Sequence, residues 1–323
     1  MMKTVSEFQR REAATTPFKL FPMKLAQQFF LFTLLSTFVI SCLFASPSFA
    51  NEKVKFEATQ PHNSEKIFLK GNLFKPEGEG PFPAVVLMHG CGGLQPAVRN
   101  TMFSYADYLV SNGFAVLNLD SFGPRSNSGG KVCASFKRLR DARQYRTYDA
   151  FDAMQYLQDQ EFIDANNIFL MGQSNGGSVA INVANANKSE AYIKTKPAFR
   201  AVVAYYPWCG TFGSKSVALK SPLLVLGGAK DDWVPPHGCQ KVTSDGAELR
   251  VTVYPEAAHS FDLNVMMQRY LGKLVGYNKH AAQDGKLKML AFFLEHLTAD
   301  VKQKLVKLAD SQKPLKISQN SIQ

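Results

Sequence analysis

Metal-ligand spacing is missing from this chain. Its six histidines and five cysteines form no H-x-x-x-H and no C-x-x-C, the spacings that aim two ligands at one ion, so no metal centre is expected. The glycine-rich stretch His89-Gly90-Cys91-Gly92-Gly93 lacks the lysine and the spacing of a phosphate-cradling P-loop. No internal repeat and no second folding unit is visible. The chain has a basic surplus, a formal net charge of +11, but no aromatic residues interleave it and no nucleic-acid motif accompanies it. A solvated basic face is therefore expected, with no nucleic-acid partner.

Long apolar runs are also scarce, and the one present lies near the start. Phe29 to Phe44 is almost unbroken apolar sequence, preceded by Lys24 and followed by Ser48-Phe49-Ala50. A basic residue, an apolar run and a small-x-small site form a secretory signal, with cleavage expected after Ala50. The run is shorter than the roughly 20 residues of a membrane span, so no stable membrane insertion is expected after cleavage. An uncleaved anchor and a lipoprotein site at Cys42 are the weaker readings, and Met23 offers an alternative start. Residues 51–323 then carry 32 basic and 24 acidic residues, a net charge of about +8, in a periplasmic or secreted protein.

Chemistry enters at Gly172-Gln173-Ser174-Asn175-Gly176-Gly177. This stretch follows the apolar Ile168-Phe169-Leu170-Met171 and precedes the helix-compatible Ser178 to Ala184. Strand, G-x-S-x-G turn and helix is the context of a nucleophile elbow, in which the flanking glycines let strand and helix pass closely. Such a motif arises by chance in many proteins, so its partners matter. Asp231 follows the strand-like Pro222 to Gly228, and His259 follows Leu249 to Tyr254. Ser, Asp, His is the order of the α/β-hydrolases, each residue on a loop at the carboxyl end of a strand. A serine hydroxyl is a weak nucleophile, so a histidine must take its proton and a carboxylate must orient the imidazole. Backbone N–H groups of Cys91 and Asn175 are the candidate oxyanion hole. Taken singly, the serine suits a tight turn, the aspartate a helix cap and the histidine a loop; their joint order favours catalysis.

His89-Gly90-Cys91-Gly92-Gly93, Asp120 to Arg125, Asp149 to Ala153, the elbow, Asp231-Asp232-Trp233 and His259-Ser260-Phe261-Asp262 together resemble the dienelactone hydrolase family. The resemblance runs from about Lys53 to Leu297. It implies Ser174, Asp231 and His259 as the triad of a carboxylic-ester hydrolase that needs no cofactor. Two positions depart from the family's namesake: a serine replaces its cysteine nucleophile, and Ser260-Phe261-Asp262-Leu263 lacks the arginine that helps hold a substrate carboxylate. Arg125 is the expected replacement near the pocket mouth.

The expected fold is α/β: a doubly wound, mostly parallel sheet flanked by helices, an α/β-hydrolase domain over residues 51–298 followed by a polar tail at 299–323 expected to be partly disordered. Strands are expected at 54–58, 66–74, 83–88, 114–119, 167–171, 199–205, 222–227 and 249–254. Helices are expected at 97–111, 144–159, 174–187, 236–244 and 281–297. Only a short connection separates Pro207 from Ser221, which leaves no room for a large cap domain. Residues 121–141 and 262–278 are the expected pocket walls, with Trp208 and Trp233 flanking the mouth as substrate contacts or packing residues. Four cysteines allow three pairings. Cys209 with Cys239 is favoured because both follow strands at one edge of the site, which leaves Cys91 with Cys133; free buried thiols are the alternative. The resulting expectation is an exported serine hydrolase of small esters or lactones. A prolyl-oligopeptidase-like peptidase and a non-catalytic envelope binding protein are the competing readings.

Overall fold

The computed structural model describes residues 51–193 and 198–303; the expected signal segment and the tail beyond Gln303 lie outside them. An antiparallel pair, β1 (Asn51–Glu57) and β2 (Phe68–Phe74), opens the domain. Alternation of strand and helix follows: β3 (Phe82–Met88), α1 (Pro96–Val110), β4 (Ala115–Asp120), α2 (Phe136–Gln158), β5 (Ile163–Gln173), α3 (Asn175–Ala184) and α4 (Ala186–Ile193). The second half contains β6 (Val202–Tyr205), β7 (Ser216–Leu219), β8 (Leu223–Gly228), β9 (Thr243–Gly246), β10 (Leu249–Tyr254), β11 (Gln268–Tyr270), β12 (Lys273–Val275) and α5 (Lys279–Glu295).

Eight strands form one sheet in the order β1-β2-β4-β3-β5-β6-β8-β10. The β2 strand runs antiparallel to β4, and every pairing from β4 to β10 is parallel. Parallel strands covered on both faces need apolar residues at odd and even positions alike. In β3, Ala84, Val86 and Met88 join the core beneath α2 and α3, whereas Val85 and Leu87 join the core beneath α1 and α5. All five are buried completely. The parallel direction sends the loops after β3, β4, β5, β8 and β10 to one edge, where an open α/β sheet places its site.

Four features differ from expectation. The helix expected at 236–244 is a 3₁₀ segment, Pro236–Lys241, followed by β9, which pairs with β7 in a separate two-stranded sheet. Two prolines, Gly238 and the disulfide at Cys239 shorten it. Helix α2 begins at Phe136, two turns earlier than expected, because Ser135 caps it by accepting from the Arg138 N–H and its first turns are polar. The expected helix at 174–187 is divided at Asn185, whose backbone is extended. Finally, residues 268–275 form the hairpin β11–β12, too short and too polar to read as strands.

Candidate active site

Ser174 stands between β5 and α3 with φ +51° and ψ −112°, a conformation that costs a non-glycine residue on the order of 1–3 kcal/mol. The surroundings enforce it. A Cβ on Gly172 would lie 2.1 Å from the Gly176 carbonyl oxygen, and one on Gly176 would lie 2.2 Å from that of Met88. Neither position tolerates a side chain, so strand, turn and helix close tightly around the serine.

The three candidates converge. His259 Nε2 lies 2.9 Å from Ser174 Oγ, and His259 Nδ1 lies 2.7 Å from Asp231 Oδ2. The other carboxylate oxygen of Asp231 accepts from the backbone N–H groups of Trp233 at 2.9 Å and Val234 at 2.8 Å. These bonds aim the carboxylate at Nδ1; with the ring proton on Nδ1, Nε2 can accept from the serine hydroxyl. The hairpin holds the histidine backbone: its N–H donates to Leu274 O and its carbonyl accepts from Gly276 N–H. Asp232 is exposed. Its carboxylate accepts from Leu274 N–H and Arg269, tying the hairpin to the loop after β8.

Cys91 and Asn175 border a cavity with Ser174. Asn175 opens α3, so its N–H has no partner within the helix and stands at the positive end of the helix dipole. Behind both loops lies Arg146, wholly buried. It donates to Asn175 Oδ1 at 2.8 Å and to the His89 carbonyl at 2.6 Å, and its guanidinium lies over the Phe122 ring. One side chain thus joins the loop after β3 to the residue after Ser174. Burial lowers the Arg146 pKa to about 10. Burial and this nearby cation lower His89 to about 3, so His89 is neutral beside the loop.

Arg125 requires correction. It is buried, donates to both oxygens of Asp149 at 2.9 and 2.8 Å and to the Ser121 carbonyl, and lies over Tyr145. With its fork occupied, it is an internal tie of the 121–141 loop and borders neither cavity at Ser174. Asp262 lies behind Ser174 and accepts from Tyr105 OH, Gln173 Nε2 and Tyr206 OH. Gln173 immediately precedes Ser174, and the Tyr206 ring packs edge-on against His259 at 4.8 Å. Burial raises the Asp262 pKa, against the pull of these three donors.

Two cavities meet at Ser174. One, of about 190 Å³, is largely apolar and includes Val98, Tyr206, His259, Leu263 and Val275. The other, of about 140 Å³, includes Phe136, Arg140, Arg143, Asn175 and Trp208. Cys91, Ser174 and Trp233 border both. Both expected walls contribute, and both disulfides, Cys91–Cys133 and Cys209–Cys239, are formed. Sequence reasoning missed Arg143 and Arg146, which it left within a basic surplus expected to be solvated. A signal existed for Arg146: it shares the i, i+4, i+7, i+8, i+11 stripe of Ala150, Ala153, Met154 and Leu157, all buried, so a charge falls on an apolar face.

Residues 69–297 match the dienelactone hydrolase family, well over half of the chain. The chain belongs to the dienelactone hydrolase family. Among curated relatives, the quorum-quenching protein AidA of Acinetobacter baumannii is 27% identical over 179 residues, which is 54% of this chain and 55% of that protein. The chain thus matches only about half the length of that relative. Solved structures share the fold. The dienelactone hydrolase of Anabaena variabilis superimposes with a TM-score of 0.52 at 19% identity, over 77% of this chain and 99% of that one. A dienelactone hydrolase-like promiscuous phosphotriesterase from metagenomic libraries gives 0.55 at 20% identity, over 77% and 100%. Like these, this dienelactone hydrolase family member has a mostly parallel sheet with helices on both faces.

Proposed function

We propose that this protein is an exported serine hydrolase that cleaves small carboxylic esters or lactones through an acyl-enzyme. The relay Asp231–His259–Ser174, at 2.7 and 2.9 Å and opening onto two cavities, carries the reading. Ser174 Oγ attacks the acyl carbon while His259 takes its proton, and the imidazolium returns that proton to the departing alcohol. Water activated by His259 then releases the acid. The N–H groups of Cys91 and Asn175 are the proposed donors to the oxyanion, each worth about 3 kcal/mol of transition-state stabilisation. Export is supported by the signal-like segment and by two disulfides, which persist in oxidising compartments; among the described residues no helix is long and apolar enough to cross a membrane.

The test is intact-mass analysis of protein purified from the periplasm or medium, with and without a fluorophosphonate, combined with turnover of nitrophenyl esters and peptide amides. A chain beginning at Asn51, one adduct on Ser174 and ester but not amide cleavage are expected. Ser174→Ala and His259→Ala should each lower kcat by about 10⁴-fold or more, Asp231→Asn by less, and Asp232→Asn by little. A folded protein that takes no adduct and consumes no ester would favour a non-catalytic binding role. Amide cleavage would favour a peptidase.

A further inference from the structure

We infer that the acyl group this enzyme accepts is a flat arene carboxylate, bound in the cavity of Phe136, Trp208 and Arg143, with the alcohol leaving through the apolar cavity. The inference rests on Ser174 being the nucleophile. His259 must hand its proton to the leaving oxygen, and of these two cavities it borders the 190 Å³ one. The alcohol therefore occupies that side, and the acyl group extends into the 140 Å³ cavity, where Asn175 stands. A cavity of about 150 Å³ accommodates benzene, so the volume suits a single ring.

Aromatic side chains line part of the acyl cavity, and Trp208 among them is held in place. Trp208 is 37% exposed and Phe136 67% exposed, large apolar surfaces that a core would have covered. Trp208 donates its backbone N–H to Ser178 Oγ at 3.0 Å and is followed by the bridged Cys209. Its indole covers Gly210 so closely that a Cβ there would lie 2.5 Å from the ring. The Arg143 guanidinium lies over the indole at 4.8 Å, and Phe136 meets it edge-on at 5.9 Å. Among the described residues Arg143 has no carboxylate within ion-pair distance; its polar contact is Thr211 Oγ1 at 3.5 Å. A cation and two aromatic rings beside Ser174 favour an arene over a saturated group of equal size.

In the reaction, the Ser174 Oγ–acyl bond forms as the ester C–O bond breaks, and the serine proton leaves on the alcohol. Water then forms the new C–O bond as the acyl–Oγ bond of Ser174 breaks, its proton passing through His259 to the released serine oxygen, and the arene acid departs.

The test compares 4-nitrophenyl benzoate with 4-nitrophenyl cyclohexanecarboxylate, which share a leaving group and differ in the flatness of the acyl ring. Each kcat/KM is divided by the ester's rate with hydroxide. A preference for benzoate of about ten-fold or more is expected, falling to within about two-fold in Trp208→Ala and in Arg143→Met. Equal normalised rates in the wild type, or a preference that survives both substitutions, would overturn the inference while ester cleavage and the Ser174 adduct left the hydrolase reading intact. Absence of both cleavage and adduct would overturn the hydrolase reading, and this inference with it.

Discussion

Arg146 joins two loops that must act together. Lysine at this position keeps a charge but cannot reach Asn175 Oδ1 and the His89 carbonyl with one planar fork. Arg146→Lys should therefore lower kcat by about 10²-fold with little change in KM, because the misplaced donors serve the transition state. Steady-state kinetics, with circular dichroism to verify folding, checks this; an equal rise in KM at constant kcat would point to substrate binding instead. His89 makes a separate prediction. Its folded pKa of about 3 lies below the ordinary 6.5, so between those values the unfolded chain binds a proton that the folded chain refuses. The stabilisation is complete above pH 6.5 and is lost as pH falls toward 3, on the order of 5 kcal/mol across the window. Asp149, raised by burial to about 6, contributes the opposite slope between its ordinary value and 6. Comparing the wild type with His89→Gln by urea unfolding at several pH values isolates the histidine: the acid-side loss should be shallower in the variant.

At the scale of elements, the β5–turn–α3 elbow depends on backbone contact. The Met88 carbonyl lies where a Gly176 side chain would begin, so Gly176→Ala must separate β3 from α3 or twist the turn. Several kcal/mol of stability should be lost, together with fluorophosphonate reactivity at Ser174; thermal melting and labelling check both. The elbow was legible because glycines, an apolar strand and a helix follow one another within a few residues. The β11–β12 hairpin was not legible. Its three-residue strands have no apolar alternation of their own, and they are held by Asp232, far away in sequence. That hairpin nevertheless fixes the backbone of His259. The start of α2 was missed for a similar reason, since a capped polar turn carries little hydrophobic period, although Phe136, Arg140 and Arg143 on it border the acyl cavity.

For the whole molecule, two disulfides span 42 and 30 residues, and each is worth about 4 kcal/mol in the chain-entropy account. Replacing Cys209 and Cys239 together by serine should lower Tm by about 10 °C. The Cys91/Cys133 pair should cost a similar amount and also lower kcat, because Cys91 contributes a candidate oxyanion donor. Calorimetry and ester kinetics on the two double variants separate the effects. If both pairs altered Tm alone, the 91–133 bridge would be a staple without influence on the loop after β3.

The sequence by itself determined what is local or ordered along the chain. Strand and helix alternation follows from apolar periodicity, the elbow from its glycines, and the triad candidates from their order at strand ends. Tertiary structure alone decided which charges are buried and what they touch. Arg125 was expected at the pocket mouth and Arg146 within a solvated basic surplus, yet the first is held by Asp149 and the second bridges the loops beside the serine. That assignment depends on side chains from β3, α2 and α3 meeting in space, and no local pattern encodes such a meeting. The division of the site into a histidine side and a Trp208 side has the same origin, because distant loops form it only after the parallel sheet has brought them to one edge.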